Sequence, residues 1–213
     1  AQENGALIYL DEVHAVGLYG FNGGGVAESK GIAKHIDVIN GTLAKAFGLA
    51  GGYIASTEII IDYVRSFSKG FIFTTSMCPA VAAGSLESMR QVQKKPELRA
   101  EFFENVKFVK SELFKAGIPF LDSGSHIIPV IVGDSKLCKE ISDYLLDKHN
   151  VYVQPINFPT VPKGTERLRI TPTPCHSKEV TQNFVEALKD AWFKFMPRLS
   201  MIVEQKEAQK NTL

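Results

Sequence analysis

Three residues in the first quarter of the chain carry side chains suited to acid–base and carbonyl chemistry. Asp11 ends an apolar run, Ala6 to Leu10, and His14 follows three residues later, so both side chains can face one crevice. Open α/β sheets place ligand sites at such strand ends, where a carboxylate needs a cation or a hydrogen-bond donor. Lys45 stands among small and apolar neighbours. A lysine among such neighbours can have its ammonium form disfavoured by desolvation, as a Schiff-base nucleophile requires.

Each of these residues also has an ordinary structural interpretation. A lone aspartate at a strand end is more often a cap, His14 alone is more often a hydrogen-bonded polar residue, and Lys45 is one of 24 basic residues. The glycine run Asn22 to Gly25 lacks the Gly-Lys-Ser/Thr ending of a nucleotide-binding loop. Together, however, an amine and an acid are what pyridoxal phosphate needs for its aldehyde and its ring nitrogen. The combination therefore favours this cofactor.

The elements that position these residues follow from the apolar periodicity. Apolar runs alternate with helical patterns, which predicts an α/β fold. Strands are predicted over 6–10, 36–39, 51–55, 71–73, 126–132, 151–153 and 167–170. Helices are predicted over 26–30, 57–66, 79–93, 102–114, 135–150 and 177–195. We interpret residues 1–94 as the later part of a large sheet domain and residues 95–213 as a small α+β domain with a polar, frayed tail.

Composition excludes several classes of protein. The 213 residues are 45% hydrophobic with a formal charge of +1, so there is no electrostatic footprint for nucleic acid and no pull toward anionic membranes. No apolar run approaches the roughly 18 residues that a membrane span needs. Three cysteines at irregular spacing predict free thiols in a reducing compartment. A parallel strand needs neighbouring strands that are reached through crossover connections. Because the predicted strand 6–10 lies at the start of the chain, we expect the chain to be a fragment.

Three segments resemble the α-oxoamine synthases, enzymes of the fold-type-I aminotransferase superfamily that use pyridoxal phosphate. They are Leu10 to Gly20, Gly41 to Gly48 followed by Gly51-Gly52-Tyr53-Ile54, and Phe71 to Ser76. The resemblance implies that Lys45 carries the cofactor, that Asp11 pairs with its ring nitrogen and that His14 binds its phenolic oxygen.

The same resemblance assigns the cofactor phosphate to threonine hydroxyls. Thr42 would serve the phosphate in its own subunit, whereas Thr74 and Thr75 would reach the phosphate bound by a partner subunit. A homodimer with active sites at the subunit interface is thereby implied.

Residues 152–174 resemble the segment that closes over the substrates in one branch of this family. The resemblance makes Thr160 the loop threonine and Arg169 the residue that holds the carboxylate of glycine, with succinyl-CoA as acyl donor. Two alternatives stay open: a family member with another acyl donor such as acetyl-CoA, and a truncated, non-catalytic subunit. The implied compartment is the mitochondrial matrix in a eukaryote and the cytoplasm in a bacterium.

Two other features receive structural interpretations. His126 is a candidate extra base, but it opens an apolar strand, which favours a role in packing. Cys175 and His176 have no second Cys/His pair at zinc spacing, so no metal site is predicted.

Overall fold

The structure is a computed structural model that describes residues 1–210, without the side chains of Gln2, Met196 and residues 199–210. It divides into two compact units, of which the first is Ala1–Arg99 and the second begins at Ala100. Strands and helices alternate in both units, which confirms the predicted α/β class. All three cysteines are unpaired, as their irregular spacing predicts.

The first unit contains a three-stranded sheet in the order β1-β2-β3. β1 (Tyr9–Asp11) pairs with β2 (Val38–Thr42) in parallel, with Asp11 opposite Asn40. β3 (Gly52–Ser56) pairs with β2 in the antiparallel sense. Because β1 and β2 run in parallel, their carboxyl ends lie at the same edge of the sheet. Asp11 and the segment that carries Lys45 both leave the sheet at this edge.

Four helices belong to the first unit. They are α1 (Val26–Ser29), α2 (Glu58–Phe67), α3 (Lys69–Ile72) and α4 (Pro79–Lys94), and short 3-10 turns cover Gln2–Asn4 and Ala33–His35. The predicted helix 57–66 is α2, with Thr57 at its N-cap, although the Thr57 side chain makes no capping hydrogen bond. α4 begins with Pro79, whose missing N–H costs nothing in the first helical turn. α5 (Pro96–Lys115) follows α4 after one residue.

One strand prediction in the first unit is wrong. The predicted strand 71–73 is part of α3 and the turn that follows it. A strand needs a partner for its ladder, and none of the described strands pairs with this segment. Among the described residues β1 is an edge strand, with Tyr9 62% exposed.

The second unit contains an antiparallel sheet of order β4-β6-β5. Its strands are β4 (Ile128–Ile131), β5 (Gln154–Ile156) and β6 (Arg167–Ile170), and its helices after α5 are α6 (Ser135–His149) and α7 (Lys178–Lys210). Pro129 lies in the edge strand β4, where its missing N–H is tolerated. Helix α5 buries its predicted apolar stripe, namely Phe102, Val106, Val109 and Leu113.

Several boundaries in the second unit differ from the prediction. Residues 151–153 are not a strand, because the N–H of Val151 donates to Leu145 O and so caps the end of α6 after the left-handed Asn150. The strand β5 starts only at Gln154. Asp134, and not Ser135, caps the start of α6 by accepting from the N–H of Leu137.

Helix α7 is longer than the predicted helix 177–195, since it continues through Pro197 to Lys210. Residues 204–210, predicted to be frayed, are rich in Glu, Gln, Lys and Ala, which have high helix propensity. Residues 211–213 of the predicted tail lie outside the described residues. Within the described part of the chain, no helix is long and apolar enough to span a bilayer.

Candidate functional site

Asp11 is the last residue of β1 and His14 lies on the turn that follows it, and both side chains are exposed. Asp11 Oδ1 accepts a hydrogen bond of 2.9 Å from the N–H of Val13. The N–H groups of Ala15 and Val16 donate to Glu12 O at 2.7 and 2.9 Å. These hydrogen bonds fix the backbone of the turn, and the side chains of Asp11 and His14 stay accessible to a ligand.

Glu12 is the buried residue that fixes this turn, and the sequence patterns did not single it out. Its side chain is 2% exposed, and its carboxylate accepts from the N–H of Val26 at 3.0 Å and of Ala27 at 2.7 Å. A buried carboxylate requires such donors. Burial, and then the charge of Glu12, raise the pKa of the Tyr53 phenol.

Lys45 lies in the loop between β2 and β3. Thr42, at the start of this loop, forms hydrogen bonds that hold the two ends of the loop together. Thr42 Oγ1 donates to Gly51 O at 3.2 Å and accepts from the N–H of Ala44 at 3.1 Å. The Lys45 side chain is exposed, as are Ala44 and Ala46, so the desolvation expected from its small and apolar neighbours is not found among the described residues. Among the side chains that the structure describes, its amine has no hydrogen-bond or ion-pair partner. The loop therefore presents an unpaired amine, while the hydrogen bonds of Thr42 fix the ends of the loop.

Apolar side chains on both sides of Lys45 fasten its loop to the protein. Leu43 and Phe47 are buried in one cluster with Val16. From α4, Ser88 Oγ donates to Phe47 O at 2.9 Å. Leu43 and Phe47 are two residues before and after Lys45, so the backbone is held on each side of the exposed amine.

The turn after β1 touches the Lys45 loop. A Cβ placed on Gly17 would lie 2.5 Å from Ala46 Cβ, and Gly17 has φ +84°, a backbone conformation that glycine adopts without strain. Gly17 also donates from its N–H to Gly23 O at 2.7 Å. The structure thus brings the segment of Asp11 and His14 against the segment of Lys45, as the strand-end argument predicts.

Thr74 and Thr75 lie in the exposed segment between α3 and α4. The same segment contains Met77, whose Cε is 3.1 Å from a Cβ placed on Gly51. The segment therefore runs beside the end of the Lys45 loop, with both threonines accessible to solvent.

Arg169 lies in the middle of β6 of the second unit, paired with Pro129 on one side and Gln154 on the other. Its side chain is exposed and lines a cavity of about 670 Å³. The cavity wall also includes His149, Thr171 and Asn183. Among the described side chains, the guanidinium has no hydrogen-bond or ion-pair partner. An unpaired cation at a cavity is suited to binding an anion.

Thr160 lies on an exposed loop of residues 157–165, here named the Thr160 loop. Its N–H donates to Asn157 O at 2.9 Å, and Thr165 Oγ1 donates to Pro162 O at 2.7 Å. His126 is 5% exposed, and its ring centroid lies 5.5 Å from that of Phe102. This burial agrees with a packing role for His126. Among residues 1–210, no group of three or more metal-binding side chains is found.

The chain is similar in sequence to a known protein family and to several known enzymes. The sequence model of the family described as aminotransferase class I and II matches residues 1–188. The chain is 53% identical over 188 residues to 5-aminolevulinate synthase 2 of Cereibacter sphaeroides, which covers 88% of this chain and 46% of that protein. It is 52% identical over 194 residues to the erythroid-specific, mitochondrial 5-aminolevulinate synthase of Delphinapterus leucas, which covers 90% of this chain and 33% of that protein.

A solved structure has the same fold. Serine palmitoyltransferase from S. paucimobilis, with PLP and myriocin bound, superposes with a TM-score of 0.85 at 28% identity over 91% of this chain and 49% of that chain. The chain thus spans about half the length of the bacterial relative and of this structure. The predicted resemblance and the PLP-dependent fold type I are confirmed by these matches.

Proposed function

We propose, since the chain belongs to the aminotransferase class I and II family, that its protein is a 5-aminolevulinate synthase. Such an enzyme condenses glycine with succinyl-CoA and releases CoA, CO2 and 5-aminolevulinate, a precursor of haem and other tetrapyrroles. Relatives of this activity that are 52–53% identical over most of the chain support the proposal. The observation that carries it is the contact of Gly17 with Ala46, because it holds the segment of Asp11 and His14 against the segment of Lys45.

The side chains at this edge of the sheet fit pyridoxal phosphate by their chemistry. The exposed Asp11 carboxylate suits the ring nitrogen, the His14 imidazole suits the phenolic oxygen, and the unpaired Lys45 amine suits the aldehyde. When bound, the cofactor supplies an electron sink for negative charge at the glycine Cα. The negative charge of Asp11 keeps the proton on the ring nitrogen, and Lys45 takes and returns the proton at the glycine Cα.

Thr42 also positions the Lys45 loop, because its hydroxyl donates to Gly51 O at 3.2 Å. A hydrogen bond to phosphate would require this bond to be exchanged. Thr74 and Thr75 are exposed and suit the phosphate bound by a partner subunit, in a homodimer with active sites at the interface.

Arg169 binds the glycine carboxylate in this proposal. A guanidinium can hold a carboxylate through two parallel hydrogen bonds, which fixes the orientation of the Cα–H bond as well as the affinity. The unpaired guanidinium at a cavity supports this role. Thr160 lies on the exposed loop that closes over the substrates and excludes water.

Localisation follows the source of the protein in this proposal. The matched relatives include a bacterial and a mitochondrial enzyme. We therefore propose the mitochondrial matrix for a eukaryotic source and the cytoplasm for a bacterial one.

The choice of acyl donor tests the proposal. The full-length protein should have a higher kcat/KM for succinyl-CoA with glycine than for acetyl-CoA with glycine. A preference for acetyl-CoA would favour 2-amino-3-ketobutyrate CoA ligase, and no turnover with a range of acyl donors would favour a non-catalytic subunit. The presence of Lys45 speaks against the last alternative, because a subunit that only completes a partner's site does not need it.

A further inference from the structure

Both ends of the Thr160 loop are bonded to one residue, Ser135, at the start of α6. At the first end, Asn157 Nδ2 donates to Ser135 O at 3.3 Å. At the second end, Ser135 Oγ donates to Glu166 Oε1 at 3.1 Å. Ser135 is more than 20 residues from either partner in sequence, so this junction is a product of the fold.

Glu166 makes the second end of the loop rigid. Its side chain is 3% exposed, and its Oε2 accepts from the N–H of Gly164 at 2.8 Å. Its carbonyl accepts from the N–H groups of Val132 and Gly133, both at 2.9 Å. A buried carboxylate with donors on both oxygens is costly to displace. This end of the loop is therefore tied to the segment between β4 and α6.

Asn157 holds the first end of the loop less firmly. Its one side-chain hydrogen bond is long, at 3.3 Å, and its buried Oδ1 has no hydrogen-bond partner among the described residues. The side-chain ties at the two ends thus differ: Glu166 accepts short hydrogen bonds on both carboxylate oxygens, whereas the Asn157 side chain makes one long bond. The backbone of the first end is held by the pairing of Ile156 with Arg167 in the sheet.

We propose that Ser135 and Glu166 are positioning residues that hold the second end of the Thr160 loop. The inference rests on the proposed function in one respect, since it takes the loop to cover the substrates. Anchoring one end lowers the conformational entropy that must be lost when the loop closes. Neither Ser135 nor Glu166 needs to touch a substrate for this role.

Hydrogen–deuterium exchange of the full-length protein without substrates tests the anchor. Ser135→Ala removes the donor to Glu166 but leaves the Asp134 cap of α6 in place, and Ser135→Thr is the matched control that keeps a hydroxyl. Exchange at residues 160–165 should be about fivefold faster in Ser135→Ala, the factor expected for one lost hydrogen bond. It should stay within about twofold of wild type in Ser135→Thr and in Asn157→Ala, which loses only a long bond.

Steady-state kinetics of the same variants test the link to the reaction. Ser135→Ala should raise the KM for the acyl-CoA about fivefold and change kcat by less than about twofold, because the loop must be ordered on binding while the closed state is unchanged. A general loss of structure would lower kcat as well.

Equal exchange in Ser135→Ala and Ser135→Thr would overturn the anchor. Faster exchange with an unchanged KM would overturn its role in positioning the loop for substrate. If the wild-type protein formed no 5-aminolevulinate, the proposed function would fail, and the exchange measurement would still decide whether Ser135 and Glu166 anchor the loop.

Discussion

Gly17 and Ala46 lie so close that a methyl group on Gly17 would come within 2.5 Å of Ala46 Cβ. This contact joins the turn after β1 to the loop after β2. On one side of it lie Asp11 and His14, and on the other lies Lys45. The geometry of the candidate site thus depends on the absence of a side chain at a position that carries no chemistry.

Gly17→Ala should therefore damage both stability and cofactor binding. The substitution adds left-handed backbone strain to a steric overlap, so the free energy of unfolding should fall by about 2–4 kcal/mol. Gly31→Ala is the matched control, because Gly31 has φ +66° with no atom within 4 Å of the added Cβ. It should cost only about 1–2 kcal/mol. Thermal unfolding and a titration with pyridoxal phosphate measure the two effects, and equal losses in both variants would refute the packing argument.

Arg169→Leu should chiefly weaken the use of glycine. It removes a charge-assisted contact and leaves a carboxylate unpaired, which costs about 2–4 kcal/mol, or roughly 30-fold to 1000-fold in kcat/KM for glycine. Arg169→Lys should recover only part of this loss, since an ammonium lacks the planar fork of a guanidinium. Steady-state kinetics with varied glycine measure the effect. A value for Arg169→Leu within about threefold of wild type would remove Arg169 from the site.

Asp190 gives the contact between α6 and α7 a defined pH dependence. Hydrogen bonds from Lys148 at 2.9 Å, His149 at 2.8 Å and Tyr144 at 2.9 Å hold the pKa of Asp190 well below its ordinary value. A lowered carboxyl pKa stabilises the folded state above the ordinary aspartate pKa, and this stabilisation is lost as the pH falls toward the folded pKa.

Asp190→Asn should accordingly unfold at a lower temperature than wild type at pH 7, and the difference should shrink as the pH falls below about 4. Asp147→Asn is the control on the exposed face of α6. Calorimetric scans of both variants across this range provide the measurement. A difference that grew on acidification would have the wrong sign for this account.

The sequence predicted correctly those helices and strands that are marked by a local pattern of apolar residues. The stripe from Phe102 to Leu113 formed a helix with that face buried, and β6 has the predicted bounds. The strand predicted at 71–73 failed because an apolar triplet does not reveal whether a partner strand is present. The predicted strand at 151–153 failed because Val151 caps α6.

The chemistry-bearing residues were easier to predict than those that support them. Asp11, His14 and Lys45 were proposed as site residues from their types and from the strand ends that precede them. Glu12, Ser88 and Glu166 were missed, because each acts on a backbone or hydroxyl group more than ten residues away. No local spacing encodes such a partner. For Glu12, the one signal that the sequence offers is that it is a second acid directly beside Asp11.

The most direct test of the account is to locate the lysine that carries the cofactor. The full-length protein is incubated with pyridoxal phosphate, reduced with borohydride, digested and mapped by mass spectrometry. We predict a pyridoxyl group on Lys45, and no stoichiometric label in Lys45→Ala, whereas Lys34→Ala, which removes an exposed lysine elsewhere in the same unit, should label like wild type. A stoichiometric label on any other lysine, or full labelling of Lys45→Ala, would contradict the assignment of Lys45.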